Sequence, residues 1–434
     1  MRLTALLAGL ALAMTSAPLH ADQMRGWVES WGTALPLQPP PPSPFGDAPP
    51  PPRETPPPPP ADTPPAPNPR VPYPQILEDQ TVRMIVRTSI GGEQLRLEFS
   101  GRNGAASVSL GEVRVALSDL HGSIRPDSDR LVTFGGETSV TLRPGTRLVS
   151  DPIDMPVDPL THVAVSLYLP DPTPAETVDE IGLMPTYIAQ GNQASSEELQ
   201  EPLVAASYYW LRGLSVASAS DEGGAIIAFG DSITEGYATT PGAHQSWPEL
   251  LAERLQAEPG FENWSVINTG ISGNRVLRTG AGESALARFT DDVLSRPGAR
   301  WVIVLEAIND INMSIIPGMP ASQAATAEEI IAGLDQLVAR AHLHGLRIAG
   351  GTIMPTKGLP FYSEEGEAMR EEVNAWIRTS GRVDAVFDFD ATTRDPADPL
   401  RLNPAYNPGD HVHPNDSGNQ AMADAIDLGT FRYR

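Results

Sequence analysis

The chain has 434 residues, of which 40% are hydrophobic and 6% aromatic, enough to build two or three globular domains. Its 30 basic and 54 acidic residues give a net charge of -24, which repels nucleic acid and anionic membrane surfaces. Because the chain contains no cysteine, disulfides, thiolate metal sites, a cysteine nucleophile and a lipid-modified cysteine are excluded. We therefore expect no nucleic-acid partner.

Residues 1–21 have the features of a secretory signal peptide. A positive charge at Arg2 precedes a short apolar stretch over residues 6–14, and small residues follow it. This stretch is too short to span a bilayer, and no other segment reaches the roughly 18–20 apolar residues that a span needs. We expect cleavage after Ala21 rather than Ala17, and export to the periplasm or the extracellular space.

A proline-rich segment follows a short N-terminal piece. Residues 22–35 contain one possible strand, and residues 36–74 are dominated by proline, including an unbroken run at 56–60. Proline fixes φ and removes a hydrogen-bond donor, so this segment is predicted to be an extended linker or surface loop. A partner that recognises proline-rich peptides is the less favoured alternative.

Between about residues 75 and 170, apolar and polar residues alternate, as in Val82, Met84 and Val86. Glycine-containing turns interrupt the pattern about every ten residues, which is typical of an antiparallel β-sandwich or barrel. Such an accessory domain can bind carbohydrate or pack beside an active site, and its residues do not decide between the two. Residues 171–221 are predicted to be an irregular connector with one helix near residues 195–203.

The segment from 222 to 434 alternates strands with helices, which predicts one doubly wound α/β domain. The predicted strands lie at residues 225–229, 265–268, 301–305, 346–350 and 385–388, and the predicted helices lie at 246–257, 285–294, 326–344, 364–379 and after 415.

Polar residues and a glycine follow the first three of these strands. Ser232 follows the first strand, Gly273 the second and Asn309 the third, whereas Asp410 and His413 lie just before the last helix. The carboxyl ends of parallel strands meet at one rim of the sheet, so we expect these residues to converge. Each alone is more typical of a turn or a helix cap, but their joint order and placement favour an acyl-transfer site.

Each residue type suits one task in acyl transfer. A serine hydroxyl needs a neutral imidazole as base, which makes Ser232 the candidate nucleophile and His413 its base. Asp410, three residues earlier, is placed to fix the imidazole tautomer. The backbone N–H groups of Ser232 and Gly273 and the side-chain amide of Asn309 are the candidate oxyanion donors.

Competing interpretations are weaker. His411 is the alternative base, but only His413 has the three-residue offset from Asp410. The acidic residues between 384 and 398 lack the spacing of metal ligands and are predicted to form a solvated loop. Because His-Glu-x-x-His and phosphate-binding glycine motifs are absent from the sequence, we expect no metal and no cofactor.

Residues 225–428 resemble the SGNH hydrolase superfamily, also called GDSL esterases and lipases, whose four sequence blocks centre on serine, glycine, asparagine and histidine. Gly-Ile-Ser-Gly-Asn-Arg at 270–275, Ala-His-Leu-His-Gly-Leu at 341–346, residues 370–378, Asp-Phe-Asp at 388–390 and residues 409–418 resemble a subfamily typified by a rumen-bacterial arylesterase/acylhydrolase linked to xylan use. Ser-Ile-Gly-Gly at 89–92 resembles part of the accessory domain that precedes the catalytic domain in such secreted proteins.

This resemblance implies a flavodoxin-like three-layer α/β/α fold. It also implies Ser232 as nucleophile, His413 as base and Asp410 as its partner, with Ser232, Gly273 and Asn309 as oxyanion donors. One position departs from the family, because Ala307 stands where glycine usually precedes the asparagine by two residues. A methyl group there is tolerated where φ is negative, and it would narrow the acyl pocket.

The sequence therefore predicts an exported serine esterase or acylhydrolase that forms an acyl-enzyme on short-chain carboxylic esters. Acetyl esters of carbohydrates are the favoured substrates, since an acidic protein with a β-rich domain suits polysaccharides better than anionic lipid surfaces. The alternatives are a lipase or thioesterase for longer acyl chains, an acyltransferase to a sugar hydroxyl, and a non-catalytic carbohydrate-binding protein. The last would be expected to lack one of the catalytic side chains, and the oligomeric state is not predicted.

Overall fold

The computed structural model describes residues 26–36, 73–218, 222–316 and 318–432. The predicted signal peptide and nearly all of the proline-rich segment lie outside the described residues. Within the described ranges, no helix is both long and apolar enough to cross a membrane. Two regions follow one another along the chain, the first built from antiparallel sheets and the second from a parallel sheet with helices.

Short strands make up the first region. In chain order they are β1 (Trp27–Gly32), β2 (Ile76–Leu77), β3 (Gln80–Arg87), β4 (Gly92–Ser100), β5 (Val108–Leu110), β6 (Glu112–Leu117), β7 (Arg130–Leu131), β8 (Val140–Leu142), β9 (Arg147–Val149), β10 (Ile153–Val157), β11 (His162–Leu169), β12 (Thr173–Pro174), β13 (Val178–Asp179), β14 (Thr186–Gln190), β15 (Leu203–Ala205), β16 (Tyr208–Tyr209) and β17 (Leu211–Ala217).

Two antiparallel sheets dominate this region, with strand orders β1-β17-β4-β10 and β15-β14-β3-β11-β6-β7. Strand β9 also pairs with β4. The alternating residues Val82, Met84 and Val86 of β3 are fully buried in a core shared with Leu95 and Leu97 of β4. Each such side chain contributes about 1.5–3 kcal/mol by leaving water. The sandwich-like antiparallel accessory domain predicted from the alternation is confirmed.

The segment predicted to be a connector differs from expectation. Residues 171–218 contribute strands β12 to β17 to the sheets, and the helix expected near residues 195–203 is not formed. At residues 194–196 the backbone instead contacts Arg83, a fully buried side chain on β3. Its guanidinium donates to the backbone oxygens of Ala194 at 3.2 Å and Ser196 at 2.7 Å, so these carbonyls point to a side chain and not along a helix. An alternating pattern cannot reveal a buried charge of this kind.

The second region is the α/β domain. Its strands are β18 (Gly224–Gly230), β19 (Trp264–Gly270), β20 (Ala299–Leu305), β21 (Arg347–Gly351) and β22 (Ala385–Phe387), all parallel and in the order β19-β18-β20-β21-β22. This is the flavodoxin-like order 2-1-3-4-5, whose switch point lies between the first and third strands. The predicted fold class is confirmed.

Helices cover this sheet. They are α1 (Ser232–Glu235), α2 (Trp247–Ala257), α3 (Ala285–Phe289), α4 (Ile308–Ile315), α5 (Ala327–Leu343), α6 (Glu364–Thr379), α7 (Phe389–Thr393) and α8 (Asp416–Ala425). Five predicted helices are present, although the second of them ends as a π-helical turn over Thr290–Leu294. Helix α5 begins at a capping box, in which Thr326 Oγ1 accepts from the Glu329 N–H at 3.2 Å and the Glu329 carboxylate accepts from the Thr326 N–H at 3.1 Å.

The acidic residues between 384 and 398 were predicted to form a solvated loop, but not all of them are exposed to solvent. Asp390 is fully buried and accepts hydrogen bonds from Arg378 and Arg394 at 2.5 and 2.6 Å. Arg378 also donates to Asp388 at 2.8 Å. Partial burial acts to raise the pKa of Asp388, but hydrogen bonds from Arg378 and the Ala391 N–H outweigh it and lower the pKa to about 2. These carboxylates therefore anchor α6 to α7.

Strand β1 joins the two regions. It pairs with β17 in the accessory domain, while its Glu29 contacts the α/β domain. Arg296, which is fully buried, donates to Glu29 Oε1 at 2.9 Å and to the Thr33 carbonyl at 2.7 Å. Ser265 of β19 donates to the Glu29 carbonyl at 2.6 Å. The regions thus share a buried polar interface as well as an apolar one.

A histidine pair lies at the same interface. Nε2 of His162, on β11, is 2.8 Å from Nε2 of His244, whose Nδ1 is 2.6 Å from Glu249 Oε1. Burial, followed by the charges of His244 and Arg87, lowers the pKa of His162 from 6.5 to about 4. The folded protein therefore resists protonation of His162.

Ala307, the position that departs from the family glycine, precedes α4 with φ +98°. We expected the methyl group to be tolerated where φ is negative, but φ is positive at Ala307. Left-handed backbone brings Cβ close to the following carbonyl and costs an alanine roughly 1–2 kcal/mol. The side chain is also fully buried. The alanine is therefore held in place by the packing around it, against its own backbone preference.

The free energy of unfolding should fall as the pH is lowered from about 6.5 to about 4. In this window the unfolded chain protonates His162 and the folded chain does not, so acid favours the unfolded state. His162→Gln should flatten this part of the pH dependence, measured by urea unfolding at several pH values. The exposed His121 provides the control variant His121→Gln. Equal slopes for His162→Gln and the wild type would contradict the assignment.

Ala307→Gly should raise the free energy of unfolding by about 1 kcal/mol, because it removes the left-handed strain at a small cost in backbone entropy. Chemical denaturation measures the change. Ala349→Gly is the matched control, since Ala349 is equally buried in β21 without a positive φ. It should be destabilising. A loss of stability in both variants would show that the Ala307 methyl contributes more by packing than it costs in strain.

Candidate active site

Ser232 stands at a sharp turn from strand to helix. Strand β18 ends at Gly230, and Asp231 caps α1 by accepting a hydrogen bond from the Ile233 N–H at 3.0 Å. This cap makes Ser232 the first residue of the helix, with 8% of its surface exposed. Its Oγ lies 2.8 Å from Nε2 of His413. The hydroxyl is thus within hydrogen-bond reach of an imidazole.

Asp410 fixes the orientation of that imidazole. Asp410 Oδ2 is 2.7 Å from His413 Nδ1, and its Oδ1 accepts from the backbone N–H groups of Val412 and His413, both at 3.0 Å. An ionised carboxylate only accepts hydrogen bonds, so Nδ1 carries the proton and Nε2 turns its lone pair to Ser232. Burial acts to raise the pKa of Asp410, but the hydrogen bond and charge of His413 outweigh it and hold the pKa below its usual range.

The glycine loop and the asparagine lie on either side of this serine. Gly273, in the turn after β19, has φ +78°, and a Cβ there would come within 2.9 Å of Ala281 Cβ. Asn309, in the first turn of α4, donates from Nδ2 to the Asn274 carbonyl at 3.0 Å. Because β19, β18 and β20 are adjacent, the segments that follow them lie side by side at the switch point.

The structure therefore brings Ser232, His413 and Asp410 into one hydrogen-bonded chain. Gly273 and Asn309 belong to two segments that contact each other beside it. His411, the competing base, is directed elsewhere, since its Nδ1 accepts from Asn407 Nδ2 at 2.9 Å. The catalytic roles of all these residues remain predictions.

Beneath the rim lies a group of buried ionisable side chains that the sequence analysis missed. Arg288 and the acids Asp231, Glu306 and Asp310 are each no more than 2% exposed. Burial raises the pKa of Asp231 to about 6, and burial followed by the charge of Asp231 raises the pKa of Glu306 well above its usual value. Arg288 lies within the helix predicted at 285–294, and its charge was a possible signal of this buried group. Charged residues of a helix usually face water, however, so the signal was not specific.

Tyr237 was also missed. Its ring centroid lies 4.5 Å from that of His413, at an interplanar angle of 51°. Its N–H donates to the Ser232 carbonyl at 2.9 Å, in the turn that ends α1. Tyr237 therefore packs against the imidazole ring of His413 in a tilted arrangement. Nothing in the periodicity of the sequence marks an aromatic residue at this place.

No cluster of three or more histidine, aspartate or glutamate side chains within the described ranges is arranged to hold a metal ion.

Comparison with known families matches residues 228–421 to the GDSL-like lipase/acylhydrolase family. No curated protein matches the chain. Among solved structures, a putative lipolytic protein of the G-D-S-L family from Desulfitobacterium hafniense is 21% identical to this chain. The match covers 46% of this chain and 96% of that protein, with a TM-score of 0.35. An acetylxylan esterase from Geobacillus stearothermophilus is 23% identical, covers 50% of this chain and 96% of its own, and has a TM-score of 0.39.

The matched residues include every member of the candidate site, from Ser232 after β18 to His413 before α8. The α/β domain of this chain is thus a member of the GDSL-like lipase/acylhydrolase family, within the SGNH hydrolases, and the protein is a carboxylic ester hydrolase.

Proposed function

We propose that this hydrolase is an exported serine esterase that cleaves short-chain esters, with acetyl esters of carbohydrates as its substrates. The observation that carries the proposal is the hydrogen-bonded chain from Ser232 Oγ through His413 to Asp410, at 2.8 and 2.7 Å. A serine aligned with a neutral imidazole and an ionised carboxylate is equipped for nucleophilic attack on an ester.

In the first half of the reaction, Ser232 Oγ attacks the ester carbonyl carbon while its proton passes to His413 Nε2. Asp410 stays ionised and stabilises the imidazolium through Nδ1. The oxygen of the tetrahedral intermediate becomes an anion, which needs donors already in place. The N–H groups of Ser232 and Gly273 supply two of them. The Asn309 amide supplies the third through the hydrogen that does not bind Asn274.

The intermediate collapses when the bond to the leaving alcohol breaks. His413 Nε2–H gives its proton to the departing oxygen, and the acyl group stays on Ser232 Oγ as an ester. A water molecule then attacks this acyl-enzyme and loses its proton to His413. As the bond from the acyl carbon to Ser232 Oγ breaks, His413 gives this proton to Oγ, so the carboxylic acid leaves and the serine hydroxyl is restored. No other reactant is needed.

Charge supports the choice of substrate. A net charge of -24 disfavours approach to an anionic lipid surface and leaves neutral, soluble carbohydrate esters available. Polysaccharides lie outside the cell, which agrees with the signal peptide expected at residues 1–21. The mass of the exported chain reports its cleavage point, and a chain that keeps residues 1–21 would contradict export by this route.

Hydrolysis of p-nitrophenyl acetate, butyrate and octanoate by the mature chain tests the proposal. Acetate should be cleaved with the highest kcat/KM, and Ser232→Ala should leave only the uncatalysed rate because the nucleophile is gone. Ser417→Ala, an exposed serine of α8 in the same domain, is the matched control and should retain activity. Release of acetate from acetylated xylo-oligosaccharides then tests the carbohydrate assignment.

Other outcomes separate the alternatives. A preference for octanoate would favour a lipase or thioesterase. Transfer of the acetyl group to an added sugar, in place of acetate release, would favour an acyltransferase. A wild type that is inert on all three esters and on acetylated oligosaccharides would overturn the proposal in favour of carbohydrate binding.

A further inference from the structure

Arg288 of α3 is a buried arginine that lies under the candidate site. It is 1% exposed, and its guanidinium carbon lies 4.0 Å from the ring centroid of Phe229. An arginine has five N–H donors, and burial makes each unpaired donor costly. All five find acceptors here. Nε donates to Asn274 Oδ1 at 2.9 Å, and Nη1 donates to the Thr269 carbonyl at 2.7 Å and to Asp292 Oδ2 at 3.1 Å. Nη2 donates to the Gly230 carbonyl at 2.8 Å and to Glu306 Oε1 at 3.3 Å.

Three of these acceptors, Gly230, Thr269 and Glu306, belong to the three strand ends that form the rim. Gly230 lies two residues before the serine, and Thr269 lies four residues before Gly273. Glu306 lies three residues before Asn309. One planar, rigid group therefore sets the spacing between the ends of β18, β19 and β20. Arginine suits this task better than lysine, whose single ammonium group cannot serve all of these directions.

A second connection runs through Asn274. Its Oδ1 accepts from Arg288, its Nδ2 donates to the carbonyls of Ala281 and Glu283 at 3.0 and 2.8 Å, and its own carbonyl accepts from Asn309 Nδ2. Asn274 is fully buried and follows Gly273 directly in sequence. The position of Arg288 is thus transmitted to two of the three candidate oxyanion donors.

We propose that Arg288 is a positioning residue for ester hydrolysis, which fixes the distance between the Ser232 nucleophile and the oxyanion donors without touching the substrate. The inference rests on the proposed function. A shift of about 1 Å in a reacting group can cost on the order of a hundredfold in rate. Loss of Arg288 should therefore act on the transition state more than on substrate binding.

Arg288→Lys tests the proposal, since it keeps a positive charge and removes the planar set of donors. For p-nitrophenyl acetate, kcat should fall by about tenfold to a hundredfold while KM changes little. A boronic acid inhibitor adds to the serine and places an oxygen among the oxyanion donors, so its inhibition constant should rise in parallel. An inhibition constant does not depend on how many molecules are folded, and a merely structural role would leave it unchanged.

Arg83→Lys is the matched control. Arg83 is equally buried and also donates to several backbone carbonyls, but it lies in the accessory domain. This variant should lose stability and keep the wild-type inhibition constant. Should Arg288→Lys fail to fold, Asn274→Ser removes the connection to the glycine loop while Arg288 keeps its bonds to the strand ends, and the same change in inhibition constant is expected.

The outcomes are separable. Wild-type turnover that disappears in Ser232→Ala, together with wild-type KM, kcat and boronic acid inhibition in Arg288→Lys, would overturn the positioning role and leave the proposed function intact. A similar rise in the inhibition constant of Arg83→Lys would also overturn it, because the effect would not be local. An inert wild type would overturn the proposed function and this inference with it.

Discussion

Burial of arginine is the constraint on which the arrangement of this protein depends. A guanidinium withdrawn from water must find acceptors for its donors, and the backbone carbonyls and carboxylates that accept are thereby fixed in space. Arg83 fixes the segment around Ser196 to the accessory sheet, and Arg296 fixes strand β1 to the α/β domain. Arg288 does the same for the strand ends that carry the candidate site. Each of these three junctions thus contains one buried guanidinium.

The features of the fold that could be predicted from the sequence are those that depend on local patterns. The parallel sheet and its helices follow from apolar strands that end at glycine or polar residues and from amphipathic helices, of which α5 begins at the capping residue Thr326. The candidate site could be predicted because its residues follow successive strands, whose carboxyl ends must meet. Both inferences depend on local patterns that periodicity expresses directly.

What could not be predicted depends on long-range pairing. The segment after β11 has no clear period in sequence, yet its strand β14 pairs with β3 and its Ser196 carbonyl binds Arg83, partners more than a hundred residues away. The buried pair of Arg288 and Glu306 was not predicted, because a single sequence does not show which charges find partners inside. The positive φ of Ala307 is imposed by the turn from β20 into α4, although the residue type disfavours it.

The accessory domain bears on the site indirectly. It contributes β1 and the partners of Arg296, and Arg296 lies just after the π-helical turn that continues the helix of Arg288. Packing of the two regions thus extends through buried polar groups to within a few residues of the rim. This continuity is a physical reason for the two regions to act as one unit.

The most direct test of the central claim is the labelling of the protein with diethyl p-nitrophenyl phosphate, followed by mass spectrometry of its peptides. We expect one diethylphosphoryl group per chain, on Ser232, with p-nitrophenolate as the leaving group. Labelling should slow by at least about a hundredfold in His413→Gln, which lacks the base. Labelling should proceed at close to the wild-type rate in His411→Asn. Asparagine suits this position because it tolerates the left-handed φ of +66° found at His411. Label on another residue, or equal labelling of Ser232 in His413→Gln, would contradict the account.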